Sequence, residues 1–259
     1  MLWCLVIWLL WEVTFLFGIV GINIYCLYVR NKQGYTVFLF ITLQSGPPGF
    51  RLLLRPMLVQ MQAQQLEHRH TERPLFRPVT FAFVTGQCVA VRGLNGTGKS
   101  TLLQTLYGHQ MPTQGTITLS VDGNPVDDDW PLISAFSAPY LWLPDDMEVF
   151  DFFAYHFTGR HCPIGVGELL NLSGLTNQRR KRIGVLSSGQ AQRVRLCVAL
   201  FDSSPLLFFD EPCTNLDEPG IAFFLTTLAP LIPQKLIFIA SNDVREMSLC
   251  NAEVAIEAV

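Results

Sequence analysis

The residues best suited to carry chemistry lie in a glycine-rich stretch at 93–100, which reads G-x-x-x-x-G-K-S. An apolar run at 87–92 precedes it and an apolar-periodic segment at 101–107 follows, so we expect a buried strand, a loop and a helix. Glycines let the backbone N–H groups turn toward phosphate oxygens, and the helix N-terminus adds positive charge. The predicted phosphate-binding residues are Gly93, Leu94, Asn95, Gly96, Thr97, Gly98, Lys99, Ser100 and Thr101. In such a loop the lysine reaches the β- and γ-phosphates and the serine ligates Mg²⁺.

Two adjacent acids, Asp210 and Glu211, follow a second apolar run at 205–209. Ligands of open α/β sheets bind at the carboxyl ends of the strands, which is where a strand over 205–209 would place both acids. We predict that Asp210 holds Mg²⁺ through water and that Glu211 orients or deprotonates the attacking water. Acids in this position also occur as a simple strand exit, but the upstream phosphate loop favours the catalytic interpretation.

A third motif, at 186–193, opens an apolar-periodic helix, with Ser187 placed as its N-cap. A cap alone would explain this serine, although such a loop also offers free N–H groups to an anion. Together with the other two motifs, the segment resembles the Leu-Ser-Gly-Gly-Gln signature of the ABC ATPases, with Ser188 in place of the first glycine. The segment 214–217 is similar to the D-loop of that family, and the resemblance covers about 66–259.

The resemblance implies an α/β fold: a P-loop NTPase of ABC-ATPase type with a small antiparallel β-subdomain and a helical subdomain. A strand pair at 115–123 matches the β-subdomain. The helical subdomain would cover 139–186, with helices over 145–157 and 167–175. Such domains dimerise head to tail, so Ser187, Gly189 and Gln190 would bind the γ-phosphate of ATP held by the second ATPase subunit, in a homodimer or a heterodimer.

The chain departs from the family pattern at three positions. The Q-loop glutamine should fall near Ala138, yet no glutamine occurs between Gln114 and Gln178. Asn242 stands where the family has a switch histidine, and it can donate a hydrogen bond but carries no charge. The aromatic residue that stacks on adenine is also absent, with His70 a weak candidate. We predict that Glu211, Lys99 and Asn242 are the catalytic residues, with Asn242 a weaker γ-phosphate sensor.

The resemblance predicts that the chain binds ATP and Mg²⁺ and hydrolyses ATP as the ATP-binding subunit of a bacterial ABC transporter, driving a separate polytopic membrane permease. It would act at the cytoplasmic face of the inner membrane. Segments 73–76 and 95–98 are similar to the haem-exporter ATPases of cytochrome c maturation, whereas 137–140 and 241–242 are closer to bacterial ABC ATPases of uncertain cargo. Two alternatives are an ATP-gated clamp or scaffold with little turnover and a non-transport ABC ATPase.

Composition divides the 259 residues into two parts. The net charge of −3 gives no reason to expect a nucleic-acid partner. Residues 1–56 contain a single acid, Glu12, and the apolar run over 1–29 is long enough to span a bilayer. We therefore expect either an N-terminal membrane anchor or an over-extended start before an ABC ATPase nucleotide-binding domain at 57–259.

Overall fold

A computed structural model describes the backbone of residues 22–31 and 34–43, and all of residues 56–69, 73–127 and 130–259. The chain divides into two compact units, Met1–Arg55 and Pro56–Val259. In the first unit, β1 (Ile22–Asn31) pairs antiparallel with β2 (Gly34–Leu43). The predicted apolar span over 1–29 therefore ends in an extended strand, and its larger part, 1–21, lies outside the described residues. Among the described residues we find no helix with the length and hydrophobicity needed to cross a bilayer.

The second unit contains two sheets and five α-helices in the described part of the chain. Its strands are β3 (Val59–Glu67), β4 (Val79–Val84), β5 (Cys88–Arg92), β6 (Gln114–Val121), β7 (Asn124–Val126), β8 (Ser134–Ser137), β9 (Leu206–Asp210), β10 (Leu236–Ala240) and β11 (Ala252–Ala255). Its α-helices are α1 (Lys99–Tyr107), α2 (Val149–His156), α3 (Val166–Leu172), α4 (Ser188–Leu200) and α5 (Glu218–Leu228). Short 3-10 helices cover Trp130–Ile133, Thr176–Gln178, Ile183–Val185, Ala229–Gln234 and Glu246–Leu249.

The larger sheet is parallel throughout, in the order β11-β5-β10-β9-β8. All residues of β9 and β10 are buried, as their continuous apolar sequences require in a parallel sheet covered on both faces. Because β10 lies between β5 and β9, the carboxyl ends of these three strands meet at one edge. That edge carries the phosphate loop, the acid pair and Asn242.

The smaller sheet is antiparallel, in the order β4-β3-β6-β7. Of the strand pair predicted at 115–123, the first strand is β6 and a two-residue turn follows at Asp122 and Gly123, but the second strand, β7, lies after the predicted range. Both turn residues have positive φ, 50° and 80°, as a type I′ hairpin turn requires. The other two strands, β3 and β4, were not predicted from the sequence. The combination of a parallel α/β layer, a small antiparallel sheet and a helical region is the predicted architecture.

Both helices of the helical region are shorter than predicted. The helix predicted over 145–157 begins only at Val149, the first residue of α2. Residues 145–148 pair with 182–184 instead. The N–H groups of Ile183 and Gly184 donate to the carbonyls of Met147 and Asp145 at 2.9 and 3.0 Å. The predicted helix over 167–175 is α3, which ends at Leu172 ahead of Gly174, whose φ is +69°.

Candidate active site

The phosphate loop joins β5 to α1, as predicted, and its glycines are required by its geometry. Gly96 and Gly98 have φ of 81° and 93°, in the left-handed region, and Gly98 is the N-cap of α1. A Cβ atom on Gly98 would lie 2.9 Å from Cδ1 of the fully buried Phe76. A Cβ atom on Gly93 would lie 2.5 Å from Oγ1 of Thr97. The loop therefore closes too tightly for side chains at either end.

The Lys99 side chain is buried against the loop that it follows. Its ammonium group donates to the carbonyl oxygens of Gly93 and Leu94 at 2.8 and 3.2 Å. The Thr97 hydroxyl also donates to the Leu94 carbonyl, at 2.8 Å, which fixes the turn. Leu94, Asn95 and Gly96 are exposed, so the tip of the loop is open. This arrangement places a positive charge inside a glycine-rich turn at a helix N-terminus.

Asp210 ends β9 with only 2% of its surface exposed, next to the start of α1. Burial raises the pKa of its carboxyl group above the ordinary value, and side-chain hydrogen bonds from Ser100 and Tyr140 oppose that rise. The Tyr140 hydroxyl donates to Oδ2 of Asp210 at 2.8 Å. The structure thus brings together the two side chains predicted to bind the metal, Ser100 and Asp210.

These two side chains fit Mg²⁺. The ion prefers oxygen ligands, keeps several waters and binds nucleotides through one or two carboxylates and the phosphates. A hydroxyl and a buried carboxylate beside a phosphate loop supply that donor set. The described residues contain no cluster of three or more His, Cys, Asp or Glu side chains that could form a metal cage without a nucleotide.

Glu211 has an unusual backbone conformation, with φ of +44°. Its N–H donates to the Ala240 carbonyl at 2.8 Å, linking the ends of β9 and β10. Its exposed carboxylate accepts a hydrogen bond from the Thr214 hydroxyl at 3.3 Å. Positive φ at a non-glycine residue is strained and persists where the surrounding structure imposes it. Here it turns the chain sharply after β9 and leaves the carboxylate accessible beside Asp210.

Asn242 lies against the phosphate loop. It follows β10, is exposed, and its side-chain amide donates to Oδ1 of Asn95 at the tip of the loop. The predicted catalytic and metal-binding residues therefore gather at the carboxyl edge of β5, β9 and β10. His70, the weak candidate for adenine stacking, lies outside the described residues.

Comparison with known proteins identifies this arrangement. The family model described as ABC transporter matches residues 76–214, more than half of the chain. This chain belongs to the ABC transporter family. This chain is 36% identical over 160 residues to the uncharacterized ABC transporter ATP-binding protein YxlF of Bacillus subtilis. The aligned residues make up 59% of this chain and 52% of that protein. The chain thus spans about half the length of YxlF.

A second relative is matched over most of its length. The cytochrome c biogenesis ATP-binding export protein CcmA 1 of Cupriavidus metallidurans is 32% identical over 174 residues, 65% of this chain and 82% of that protein. A solved ATP-binding subunit of an ABC transporter superposes on this chain with a TM-score of 0.67, at 22% identity over 76% of this chain and 85% of the other. The predicted family and ABC-ATPase fold are confirmed.

The ABC signature forms a second, separate surface. Ser187 caps α4 through a capping box: the Gln190 N–H donates to Oγ of Ser187 at 3.3 Å, and the Ser187 N–H donates to Oε1 of Gln190 at 3.2 Å. A Cβ atom on Gly189 would lie 2.7 Å from the Asn215 carbonyl oxygen, so the signature packs tightly against the D-loop. A cavity of about 370 Å³ lies here, lined by signature and D-loop residues together with Gly174, Leu175 and Arg193. Among its described lining residues there is none from the phosphate loop.

Tyr140 and Gln104 were not predicted as site residues from the sequence. Gln104 projects from α1, and its side-chain amide donates to the Tyr140 hydroxyl at 2.9 Å. Tyr140 follows β8, close to Ala138, where the family glutamine was expected. The absence of that glutamine could have directed attention to the nearest polar side chain after β8.

An apolar groove of about 910 Å³ adjoins this segment. Residues 141–144 and side chains of α2 and α4 line it. Two of its aromatic residues, Trp142 and Tyr155, are 81% and 75% exposed, whereas Phe153 of α2 is fully buried. The aromatic side chains of this region therefore divide into a buried part that belongs to the core and an exposed apolar surface.

Proposed function

We propose that this chain is the ATP-binding and ATP-hydrolysing subunit of a bacterial ABC transporter and that it drives a separate membrane permease. The observation that carries the proposal is the contact between Ser100 of the phosphate loop and the buried carboxylate of Asp210. Glu211 follows that carboxylate directly, and Asn242 contacts the loop from the neighbouring strand. Membership of the ABC transporter family supports the same assignment.

Each side chain then has a defined role. Lys99 stabilises the negative charge of the β- and γ-phosphates, and the loop N–H groups orient them. Glu211 accepts a proton from the attacking water, while Asn242 donates a hydrogen bond to the γ-phosphate. Mg²⁺, bound through Ser100 and Asp210, would supply charge neutralisation at the phosphate oxygens. The strained turn at Glu211 leaves its carboxylate exposed at the carboxyl edge of the sheet, where the attacking water would reach it.

The position of the signature supports action as a dimer. Ser187, Gly189 and Gln190 line a cavity without phosphate-loop residues, so they are available to ATP bound by a second ATPase subunit. The exposed aromatic residues of the groove suit an apolar segment of a polytopic permease. The subunit would then lie at the cytoplasmic face of the inner membrane. The export protein name of one relative supports a transport role.

A second candidate function is an ATP-gated clamp with little turnover. It is favoured by Asn242, which provides an uncharged donor where the family has a histidine, and by the missing Q-loop glutamine. In this case ATP binding alone would close the dimer, and hydrolysis would be too slow to drive repeated cycles.

Mg²⁺-dependent release of phosphate from ATP by the full chain tests the proposal. We expect Lys99→Ala to lower the rate by about 10²-fold or more, since removing one preorganised donor to a developing negative charge commonly has that effect. Lys181→Ala, at an exposed lysine of a basic run, is the matched control and should leave the rate unchanged. Tight ATP binding without release would favour the clamp, and absence of ATP binding would refute both functions.

A further inference from the structure

A short relay of hydrogen bonds reaches the buried carboxylate from α1. The Gln110 side-chain amide donates to Oε1 of Gln104 at 2.6 Å, and the Gln104 amide donates to the Tyr140 hydroxyl at 2.9 Å. The hydroxyl in turn donates to Oδ2 of Asp210 at 2.8 Å. Because the hydroxyl oxygen already accepts from Gln104, its own proton is directed toward the carboxylate.

The relay determines how the carboxylate is held. Asp210 is 2% exposed, so its rotation is set by protein partners rather than by bulk water. Ser100 bonds it from the phosphate loop and Tyr140 from the segment after β8, which constrains the plane of the carboxylate from two elements. Donors that orient a metal-binding carboxylate in this way commonly contribute 10–100-fold to metal affinity or activity.

We propose that Tyr140 is a positioning residue that holds Asp210 in the orientation needed to bind Mg²⁺ with ATP. This inference rests on the proposed function, since it assigns the metal to Asp210. Tyr140 acts through the carboxylate and does not itself contact the phosphates. It provides, from the loop after β8, a side chain tied to the metal site in a segment that contains no glutamine.

The test compares ATP affinity with and without the metal, using the full chain, radiolabelled ATP and equilibrium dialysis in Mg²⁺ or in EDTA. Tyr140→Phe removes only the hydroxyl, and the residue is 53% exposed, so packing is preserved. We expect the ATP affinity in Mg²⁺ to fall about tenfold, with the affinity in EDTA and the urea unfolding midpoint unchanged. Gln104→Leu removes the donor to the Tyr140 hydroxyl without altering the tyrosine. It should also lower the ATP affinity in Mg²⁺ and leave the ATP affinity in EDTA unchanged.

Tyr107→Phe is the matched control. This tyrosine lies at the end of α1, packs against Phe136 and Phe208 at ring distances of 5.2 and 5.9 Å, and should keep the wild-type affinities. An ATP affinity in Mg²⁺ that is the same in Tyr140→Phe and in wild type would overturn the positioning role. A parallel fall in Mg²⁺ and in EDTA would also overturn it, because that result indicates a structural effect. If wild type itself gains no affinity from Mg²⁺, the proposed function fails together with this inference.

Discussion

At the scale of single residues, the site is distinguished by a neutral side chain beside the phosphate loop. Asn242 contacts Asn95 directly, so its amide is held at the tip of the loop. A histidine in this position could carry a positive charge toward the γ-phosphate, whereas an asparagine offers only a dipole. We therefore expect Asn242 to contact the γ-phosphate, but more weakly than a histidine would.

Variants of Asn242 test this contact. Asn242→Ala removes the amide donor and should lower the rate of ATP hydrolysis at least tenfold, while Asn242→His should raise it above wild type. The comparison is a steady-state phosphate-release assay at saturating Mg²⁺-ATP. Asn124→Ala, at an exposed position of β7, is the control and should leave the rate unchanged. A wild-type rate in Asn242→Ala would show that the amide does not contribute.

Several site residues could be predicted from sequence because their spacing reflects local backbone geometry. The phosphate loop directly follows one apolar run, and the acid pair directly follows another. Each motif can therefore be recognised from a few neighbouring residues. Tyr140 could not be found in this way. Its role depends on a contact with Asp210, 70 residues further along the chain, and such a contact exists only once β8 and β9 are adjacent in the sheet.

At the scale of elements, the turn between β5 and α1 depends on two glycines in different surroundings. Both Gly96 and Gly98 have left-handed φ, but only Gly98 is crowded, by the buried ring of Phe76. Gly96→Ala should therefore lose about 1–2 kcal/mol of unfolding free energy from backbone strain alone. Gly98→Ala should lose at least about 1 kcal/mol more, because the added methyl group overpacks the site. Urea unfolding of the two variants measures the difference, and equal losses would contradict the crowding.

A buried lysine that immediately precedes β10 makes the stability of the folded chain depend on pH. The Lys235 ammonium donates to the carbonyls of Asp202, at 2.8 Å, and Ser204, and burial lowers its pKa from 10.5 to about 8. Between pH 8 and 10.5 the unfolded chain binds more protons at this residue than the folded chain, so its contribution to stability rises with pH.

Unfolding free energies of wild type and Lys235→Met, measured by urea titration at pH 8 and pH 10.5, test that sign. The value for wild type minus that for the variant should increase at the higher pH, since other groups titrate equally in both proteins. A difference that is constant or falls with pH would contradict the lowered pKa of Lys235.

The elements were predicted unevenly from the sequence, for physical reasons. β5 and β9 follow the continuous apolar runs at 87–92 and 205–209 and were identified from the sequence, whereas the short strands β8 and β11, which contain serines and Glu253, were not. β3 alternates glutamines with buried Val59, Met61 and Ala63, and it is interrupted by a register shift after Ala63, so its pattern is short. The predicted helix over 145–157 was too long because residues 145–148 bond to a segment near 183, which local periodicity does not reveal.

At the scale of the whole molecule, the phosphate loop and the signature lie in separate places, and this separation suits a head-to-tail dimer. Ser188→Glu tests the arrangement, since Ser188 is exposed in the first turn of α4. A negative charge there should stabilise the helix slightly, by about 0.3–1 kcal/mol, yet repel a phosphate bound by the partner.

The assay is analytical ultracentrifugation with Mg²⁺-ATP in the Glu211→Gln background. We expect a dimer for Glu211→Gln and a monomer when Ser188→Glu is added, with no loss of thermal stability. Ser188→Gln, similar in size but neutral, is the matched control and should preserve the dimer. An unchanged dimer in the presence of Ser188→Glu would place the signature away from the nucleotide.

In the proposed function, Glu211 activates water for ATP hydrolysis in the site formed by Lys99, Ser100 and Asp210. The most direct test of this role is a single-turnover measurement of ATP cleavage by the full chain, wild type beside Glu211→Gln, with ATP binding followed in the same samples. We expect the variant to bind ATP as tightly as wild type while cleavage falls by at least about 10²-fold, the lower end of what general acid–base catalysis typically contributes. Cleavage at the wild-type rate in Glu211→Gln would contradict the assignment.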